Sequence, residues 1–131
     1  MQLGNELPFR LNDELYSEIF AELYASSNAL LPQMAEKILH GDVDAVEYVG
    51  ICYLKGSDGL QADFPKAISL LRLATEGGGT TAPFYIADCY AYGISVRKDM
   101  QTAEKFYRMA AQSPIQSVRE AAHRQLQKLK K

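Results

Sequence analysis

The chain is poor in the residues that build metal centres, disulfide scaffolds and membrane spans. Its 131 residues hold two cysteines, too few to define a disulfide scaffold. His40 and His123 each lack a second ligand at metal spacing. No run of about 18 apolar residues occurs, and the N-terminus lacks the basic start and apolar run of a signal peptide. We therefore expect no metal or other cofactor, no membrane insertion, and a cytoplasmic location with both thiols free.

Charge and residue chemistry narrow the functional classes further. The formal net charge is −2, without the basic stripe of a nucleic-acid binder. The run Gly77–Gly79 lacks the lysine and hydroxyl residue of a phosphate loop and follows a predicted helix. Cys52 and Cys89 have no local base, which favours packing over nucleophilic catalysis. The carboxylates are scattered or capping, so no general acid–base pair and no catalytic residue is predicted.

The strongest pattern is an internal repeat with a period of 36 to 37 residues. AVEYVGICYLKG at residues 45–56 aligns with APFYIADCYAYG at residues 82–93, at an offset of 37. DFPKAISLLRLA from Asp63 aligns with DMQTAEKFYRMA from Asp99 at an offset of 36, so the second copy has a loop one residue shorter. The identical pairs are Ala45 and Ala82, Cys52 and Cys89, Tyr53 and Tyr90, Gly56 and Gly93, Ala67 and Ala103, and Ala74 and Ala110.

Each copy of the repeat is predicted to be two helices joined by a polar loop. Small residues recur at helical spacing on the first helix, which lets a neighbouring helix approach closely. Gly56 and Gly93 are predicted to end that helix in the left-handed conformation. Asp63 and Asp99 then stand where an N-cap accepts hydrogen bonds from the free amides of the second helix.

These motifs resemble the Sel1-like repeat family, a relative of the tetratricopeptide repeats. The family pattern runs A-x-x-x-L-G-x-M-Y-x-x-G, then a loop, then D-x-x-K-A-x-x-W-Y-x-x-A-A. Matching residues include Ala45, Gly50, Tyr53, Gly56, Asp63, Lys66, Ala67 and Ala74, and then Ala82, Tyr90, Gly93, Asp99, Ala103, Tyr107, Ala110 and Ala111. The resemblance implies a helical solenoid. Some secreted members bridge two cysteines in each unit, and the single cysteine per unit here argues against that subtype.

Flanking helices are predicted to complete the core. Residues 11–41 read as a diverged N-terminal hairpin with Asn12 as a cap, and residues 45–78 and 82–112 are the two repeats. Pro114 is predicted to start a capping helix over residues 114–131, with a solvated basic face of Arg119, Arg124, Lys128 and Lys131. The sequence thus predicts one all-α domain over residues 1–131, a short right-handed α–α superhelix (solenoid) of about seven antiparallel helices.

One face of the first helix in each repeat is left for binding, since these helices line the concave side of such a superhelix. The expected partner-binding residues are Tyr48, Ile51 and Lys55 in one repeat and Tyr85, Asp88 and Tyr92 in the other. Tyrosine suits this role because its rigid ring offers area and its hydroxyl offers direction. Tyr53, Tyr90 and Tyr107 are expected to pack between helices instead, and Glu14, Glu18 and Glu22 to mark the solvent face of the first helix.

The sequence therefore predicts a non-catalytic protein–protein interaction module. It would bind a protein or peptide partner through the concave face, as a cytoplasmic and bacterial adaptor. Two alternatives stay open at this point: an immunity protein that neutralises a bacterial toxin or effector, and a secretion chaperone. The identity of the partner, the oligomeric state and the order of residues 1–10 are also open.

Overall fold

The described part of the chain consists of α-helices joined by turns and loops. A computed structural model describes residues 13–130. The helices are α1 (Asp13–Ala25), α2 (Leu30–Leu39), α3 (Val43–Lys55), α4 (Phe64–Glu76), α5 (Ala82–Tyr92), α6 (Met100–Ala110) and α7 (Gln116–Leu129). Seven helices and no strand within this range confirm the all-α prediction. The predicted cap at Asn12, the first ten residues and Lys131 lie outside the described residues.

The chain divides into two compact units, and the boundary lies between Gly78 and Gly79. The boundary falls in the glycine run that was predicted to end the first repeat. α4 ends at Glu76, and Gly78 has a φ of 90°, which L side chains rarely adopt. The expectation of a single domain stays a prediction. None of the helices in residues 13–130 has the length and apolar character needed to cross a bilayer.

The N-terminal unit packs four helices in chain order, α1 on α2, α2 on α3 and α3 on α4. The α3–α4 contact is close because Gly50 has no side chain. A Cβ at Gly50 would lie 3.1 Å from Cγ of Leu71 and 3.2 Å from Cβ of Leu70. The core of this unit is aliphatic, with fully buried side chains that include Ile19, Leu23, Leu31, Ile38, Val46, Val49, Leu70 and Leu71.

Capping residues set the helix boundaries of both repeats as predicted. Asp63 Oδ1 accepts a hydrogen bond from the Lys66 amide at 3.1 Å, and Asp99 Oδ1 accepts one from the Thr102 amide at 3.1 Å. The cap at Asp63 is worth about 1 kcal/mol. Gly56 and Gly93 have φ values of 69° and 68°, and each ends the preceding helix in the left-handed conformation.

The C-terminal unit packs α5 on α6 and α6 on α7. Its core combines small and aromatic residues: Ala87, Ala91, Ala103 and Tyr107 form one cluster, and Ala110, Ala111 and Ala122 form another. Phe84 and Leu126 contact both clusters. The alanines keep the helices close, while the tyrosine and phenylalanine rings fill the remaining space.

The start of α7 differs from the prediction. The helix begins at Gln116, two residues after Pro114, because Ile115 holds the extended backbone of an N-cap. Ser113 organises this turn: its hydroxyl oxygen accepts from the Ile115 amide at 3.1 Å, and its carbonyl accepts from Arg119 Nη1 at 2.8 Å. Arg119 is therefore half-buried and structural, whereas the prediction placed it on the solvated face.

Candidate partner-binding surfaces

The predicted binding residues of the N-terminal unit lie on α3, and we call Tyr48, Ile51 and Lys55 the α3 face. Tyr48 is 38% exposed and Lys55 is exposed, while Ile51 is half-buried. The Tyr48 hydroxyl donates a hydrogen bond to the Asp58 carboxylate in the loop after α3. That hydrogen bond is the main reason that the pKa of Tyr48 rises to about 12. The Tyr48 ring is thus held in place while part of its surface stays open.

The loop that holds Tyr48 is itself anchored. Asp58 has a φ of 59°, and its carbonyl accepts a hydrogen bond from Asn28 Nδ2 at 3.0 Å. Asn28 Oδ1 also accepts from the Leu30 amide at 3.0 Å, at the start of α2. The loop between α1 and α2 and the loop between α3 and α4 are therefore joined, which gives the α3 face a fixed border.

The corresponding residues of the C-terminal unit lie on α5, and we call Tyr85, Asp88 and Tyr92 the α5 face. Tyr92 is 65% exposed, the highest value among the exposed large hydrophobic residues of the described part of the chain. Tyr85 is half-buried and meets Phe84 edge to face, with ring centroids 5.9 Å apart. The α5 face thus offers one open aromatic ring and one that is partly packed.

Asp88 has a second role that the sequence did not reveal. It is half-buried, and its Oδ1 accepts a hydrogen bond from the hydroxyl of Tyr107 on α6. Burial raises the pKa of Asp88, and this hydrogen bond opposes the rise only in part. Tyr107 is 1% exposed and packs between helices as predicted. Asp88 therefore ties α5 to α6 besides lying on the α5 face.

A polar centre in the N-terminal unit was also missed. Glu22 was expected only on the solvent face of α1, and its side chain is indeed 47% exposed. Its Oε1 nevertheless accepts from the Tyr53 hydroxyl at 2.6 Å and from Lys66 Nζ at 3.0 Å. Lys66 Nζ also lies 3.5 Å from Asp63 Oδ2 and 5.6 Å from the centroid of the Tyr53 ring. Burial by itself lowers the pKa of Lys66, but Glu22 and Asp63 together raise it by more, so the pKa lies above its usual value.

Both cysteines are packing residues in the described structure. Cys52 is 2% exposed and Cys89 is 0% exposed, and neither forms a disulfide. Burial raises the pKa of the Cys52 thiol, and it raises the pKa of Cys89 to about 11. Because the thiolate is the nucleophilic form, such thiols are inert at neutral pH.

The two histidines belong to different units of the chain. His40 is the C-cap of α2, and its Nδ1 lies 2.8 Å from the Glu36 carbonyl. His123 is exposed on α7. Residues 13–130 contain no group of three or more His, Cys, Asp or Glu side chains placed to hold a metal ion.

Other exposed hydrophobic side chains lie outside the two faces. Tyr24 on α1 is 46% exposed, and its hydroxyl donates to the Glu36 carboxylate. Phe64, the first residue of α4, is 42% exposed beside its cap. An open groove of about 430 Å³ lies between the start of α6 and the end of α7, lined by Met100, Gln101, Glu104, Lys128 and Leu129. Sequence periodicity did not single out any of these, because each belongs to a helix end or border.

Comparison with known protein families identifies the repeats that carry these two faces. The family model described as Sel1 repeat matches residues 43–79 and 82–114, more than half of the chain. The chain belongs to the Sel1 repeat family. No curated protein and no solved structure matches it.

Membership in the Sel1 repeat family confirms the resemblance seen in the sequence. The first Sel1 repeat contains α3 and α4, and the second contains α5 and α6. The α3 face and the α5 face therefore occupy equivalent positions in successive Sel1 repeats. Sel1 repeats are generally protein–protein interaction modules.

Proposed function

We propose that this protein is a non-catalytic adaptor that binds a protein or peptide partner through the α3 face and the α5 face. The observation that carries the proposal is the exposure of one tyrosine on each face, Tyr48 at 38% and Tyr92 at 65%. Most large side chains on α3 and α5 are buried or half-buried in their own unit. An exposed, oriented tyrosine ring is a typical energetic centre of a protein interface. That both faces line one concave groove stays a prediction.

The side-chain chemistry supports binding over catalysis. The two thiols are buried and have raised pKa values. Asp88, whose pKa is also raised, accepts a hydrogen bond from a tyrosine in the core of its own unit. The two free buried thiols support a reducing cytoplasm as the compartment.

The test is quantitative pull-down from the native organism with the full-length chain as bait. We expect Tyr48→Ala combined with Tyr92→Ala to reduce capture of the specific partner by about tenfold or more, as for truncation of interface hot spots. Tyr24→Ala is the matched control, because Tyr24 is also an exposed tyrosine bonded to a carboxylate but lies on α1. Equal capture by the double variant and the wild type would contradict the proposal.

The captured protein also separates the finer roles. A toxic effector whose growth inhibition is relieved by co-expression would identify an immunity protein. An effector that is insoluble without this chain would identify a secretion chaperone. Any other stable partner supports the adaptor role.

A further inference from the structure

Among the described residues, Asp88 on the α5 face is a carboxylate without an ion pair to a lysine or arginine. Asp88 is half-buried, and burial of a charge is costly unless an opposite charge or hydrogen bonds compensate for it. The Tyr107 hydroxyl supplies one hydrogen bond to Oδ1. The salt bridges seen among residues 13–130 include Lys66 with Glu22, Lys66 with Asp63 and Arg108 with Glu104, and Asp88 takes part in none of these.

Tyrosines flank this carboxylate along the helix. Tyr85 precedes Asp88 by three residues and Tyr92 follows it by four, and side chains at these spacings are neighbours on a helix surface. The face of a tyrosine ring attracts cations through its quadrupole. Tyr92 is 65% exposed, so its ring is available to an incoming group. A carboxylate beside an exposed aromatic ring is complementary to a cationic group that also has a planar or apolar part.

We infer that the α5 face recognises an arginine side chain of the partner, with the guanidinium paired to Asp88 and stacked against Tyr92. The inference rests on the proposed function and names the chemistry of its ligand. A guanidinium fits better than an ammonium because it is planar, stacks on aromatic rings and is less strongly hydrated. Asp88 Oδ1 serves the Tyr107 hydroxyl, and the second carboxylate oxygen receives the guanidinium N–H groups.

The equivalent surface in the first Sel1 repeat has different chemistry. At an offset of 37, Ile51 takes the position of Asp88 and Lys55 that of Tyr92. Ile51 offers no hydrogen-bond acceptor to a guanidinium, and a lysine is a cation and not a cation-binding ring. The helix positions that hold Asp88 and Tyr92 on the α5 face thus carry neither a carboxylate nor an aromatic ring on the α3 face, and the inference applies to the α5 face.

Selection of peptides from a displayed random library tests this inference. The library is panned on the full chain, on Asp88→Asn and on Asp44→Asn, an exposed acid in the first turn of α3 that serves as the control. Asparagine keeps an oxygen that accepts from Tyr107, so the packing of α5 on α6 is retained, which thermal melting verifies. We expect arginine to be enriched at one position of the peptides selected by the wild type and by Asp44→Asn, and not by Asp88→Asn.

A double-mutant cycle then locates the contact. The tightest peptide is synthesised with its enriched arginine and with citrulline, which has nearly the same shape without the charge. We expect citrulline to weaken binding to the wild type by about tenfold to a hundredfold, as for the loss of a charged hydrogen bond. The same replacement should have little effect on binding to Asp88→Asn, and Tyr92→Ala should weaken binding of the arginine peptide.

The outcomes separate this inference from the proposed function. Selected peptides without arginine enrichment, or an equal loss on citrulline replacement in the wild type and Asp88→Asn, would overturn the arginine assignment and leave the binding module standing. Equal enrichment of lysine would overturn the preference for a guanidinium. If no peptide binds and the pull-down variants also capture as the wild type does, both proposals fail.

Discussion

Truncation of Glu22 is expected to destabilise the N-terminal unit far more than its exposed position on α1 suggests. Glu22→Ala removes the acceptor of the Tyr53 hydroxyl at 2.6 Å and the carboxylate that lies 3.0 Å from Lys66 Nζ. Tyr53 is 1% exposed, and the Lys66 side chain is 10% exposed, so water replaces these bonds poorly. Asp63, 3.5 Å from the ammonium, is left as its remaining carboxylate partner.

The magnitude follows from the two lost hydrogen bonds. Each bond to a charged group is worth about 1.5–3 kcal/mol when buried. Because the Glu22 side chain is 47% exposed, solvent screening reduces both values. We expect a total loss of about 2–3 kcal/mol in the free energy of unfolding. Glu22→Gln keeps an oxygen acceptor without the charge, so it should lose about half as much.

Urea denaturation followed by circular dichroism measures the loss, and hydrogen exchange of the α1 amides locates it. Glu18→Ala is the control, because Glu18 is exposed one turn earlier on the same helix. Its effect should stay within about 0.5 kcal/mol, the usual range for a surface site. If Glu22→Ala and Glu18→Ala cost the same, the contacts of Glu22 do not stabilise the fold and the reasoning is refuted.

Two further predictions concern the repeat boundaries. Gly93→Ala should lower the free energy of unfolding by about 1–2 kcal/mol, because alanine must adopt the left-handed backbone conformation. Gly56→Ala should lower it by more, because the added Cβ would also lie 3.1 Å from a backbone nitrogen of the following loop. Equal losses of stability in urea denaturation would show that the loop moves to relieve this contact. Hydrogen bonds to Thr102 lower the native pKa of Asp99 below 3.8. The ionised cap therefore stabilises the fold fully above pH 3.8 and loses that contribution as pH falls through the lowered native pKa. We expect the stability difference between wild type and Asp99→Asn, followed by thermal melting, to shrink as the solution is acidified, and a constant difference would contradict this assignment.

Local patterns in the sequence were sufficient for the helical framework. The caps at Asp63 and Asp99 and the left-handed glycines at Gly56 and Gly93 depend on residues within a few positions of one another. Recurrence at 36 to 37 residues indicated two copies of one helical repeat, and the family match to two Sel1 repeats confirms it. The burial of Cys52 and Cys89 followed from their place on the apolar helix face.

Contacts between distant segments were decided only by tertiary structure. The bond from Tyr53 to Glu22 spans 31 residues, and the bond from Tyr107 to Asp88 spans 19. Helical periodicity places such polar residues on a face, but it does not say which side chain of another helix comes within reach. α7 begins at Gln116, and not at Pro114 as predicted, because the turn at Ser113 competes with the helix for hydrogen bonds.

The sequence by itself determined the helices, their boundaries in the repeats and the class of module, because these depend on neighbouring residues and on the period of the pattern. Tertiary structure decided how exposed each predicted binding residue is. Tyr92 is largely exposed, and Tyr48 donates a hydrogen bond to Asp58 in the loop after α3. Asp88 is half-buried and accepts a hydrogen bond from Tyr107 on α6. Burial and pairing depend on which helices meet, so the sequence alone does not distinguish a half-buried carboxylate that accepts a hydrogen bond from a tyrosine from one that is fully solvated.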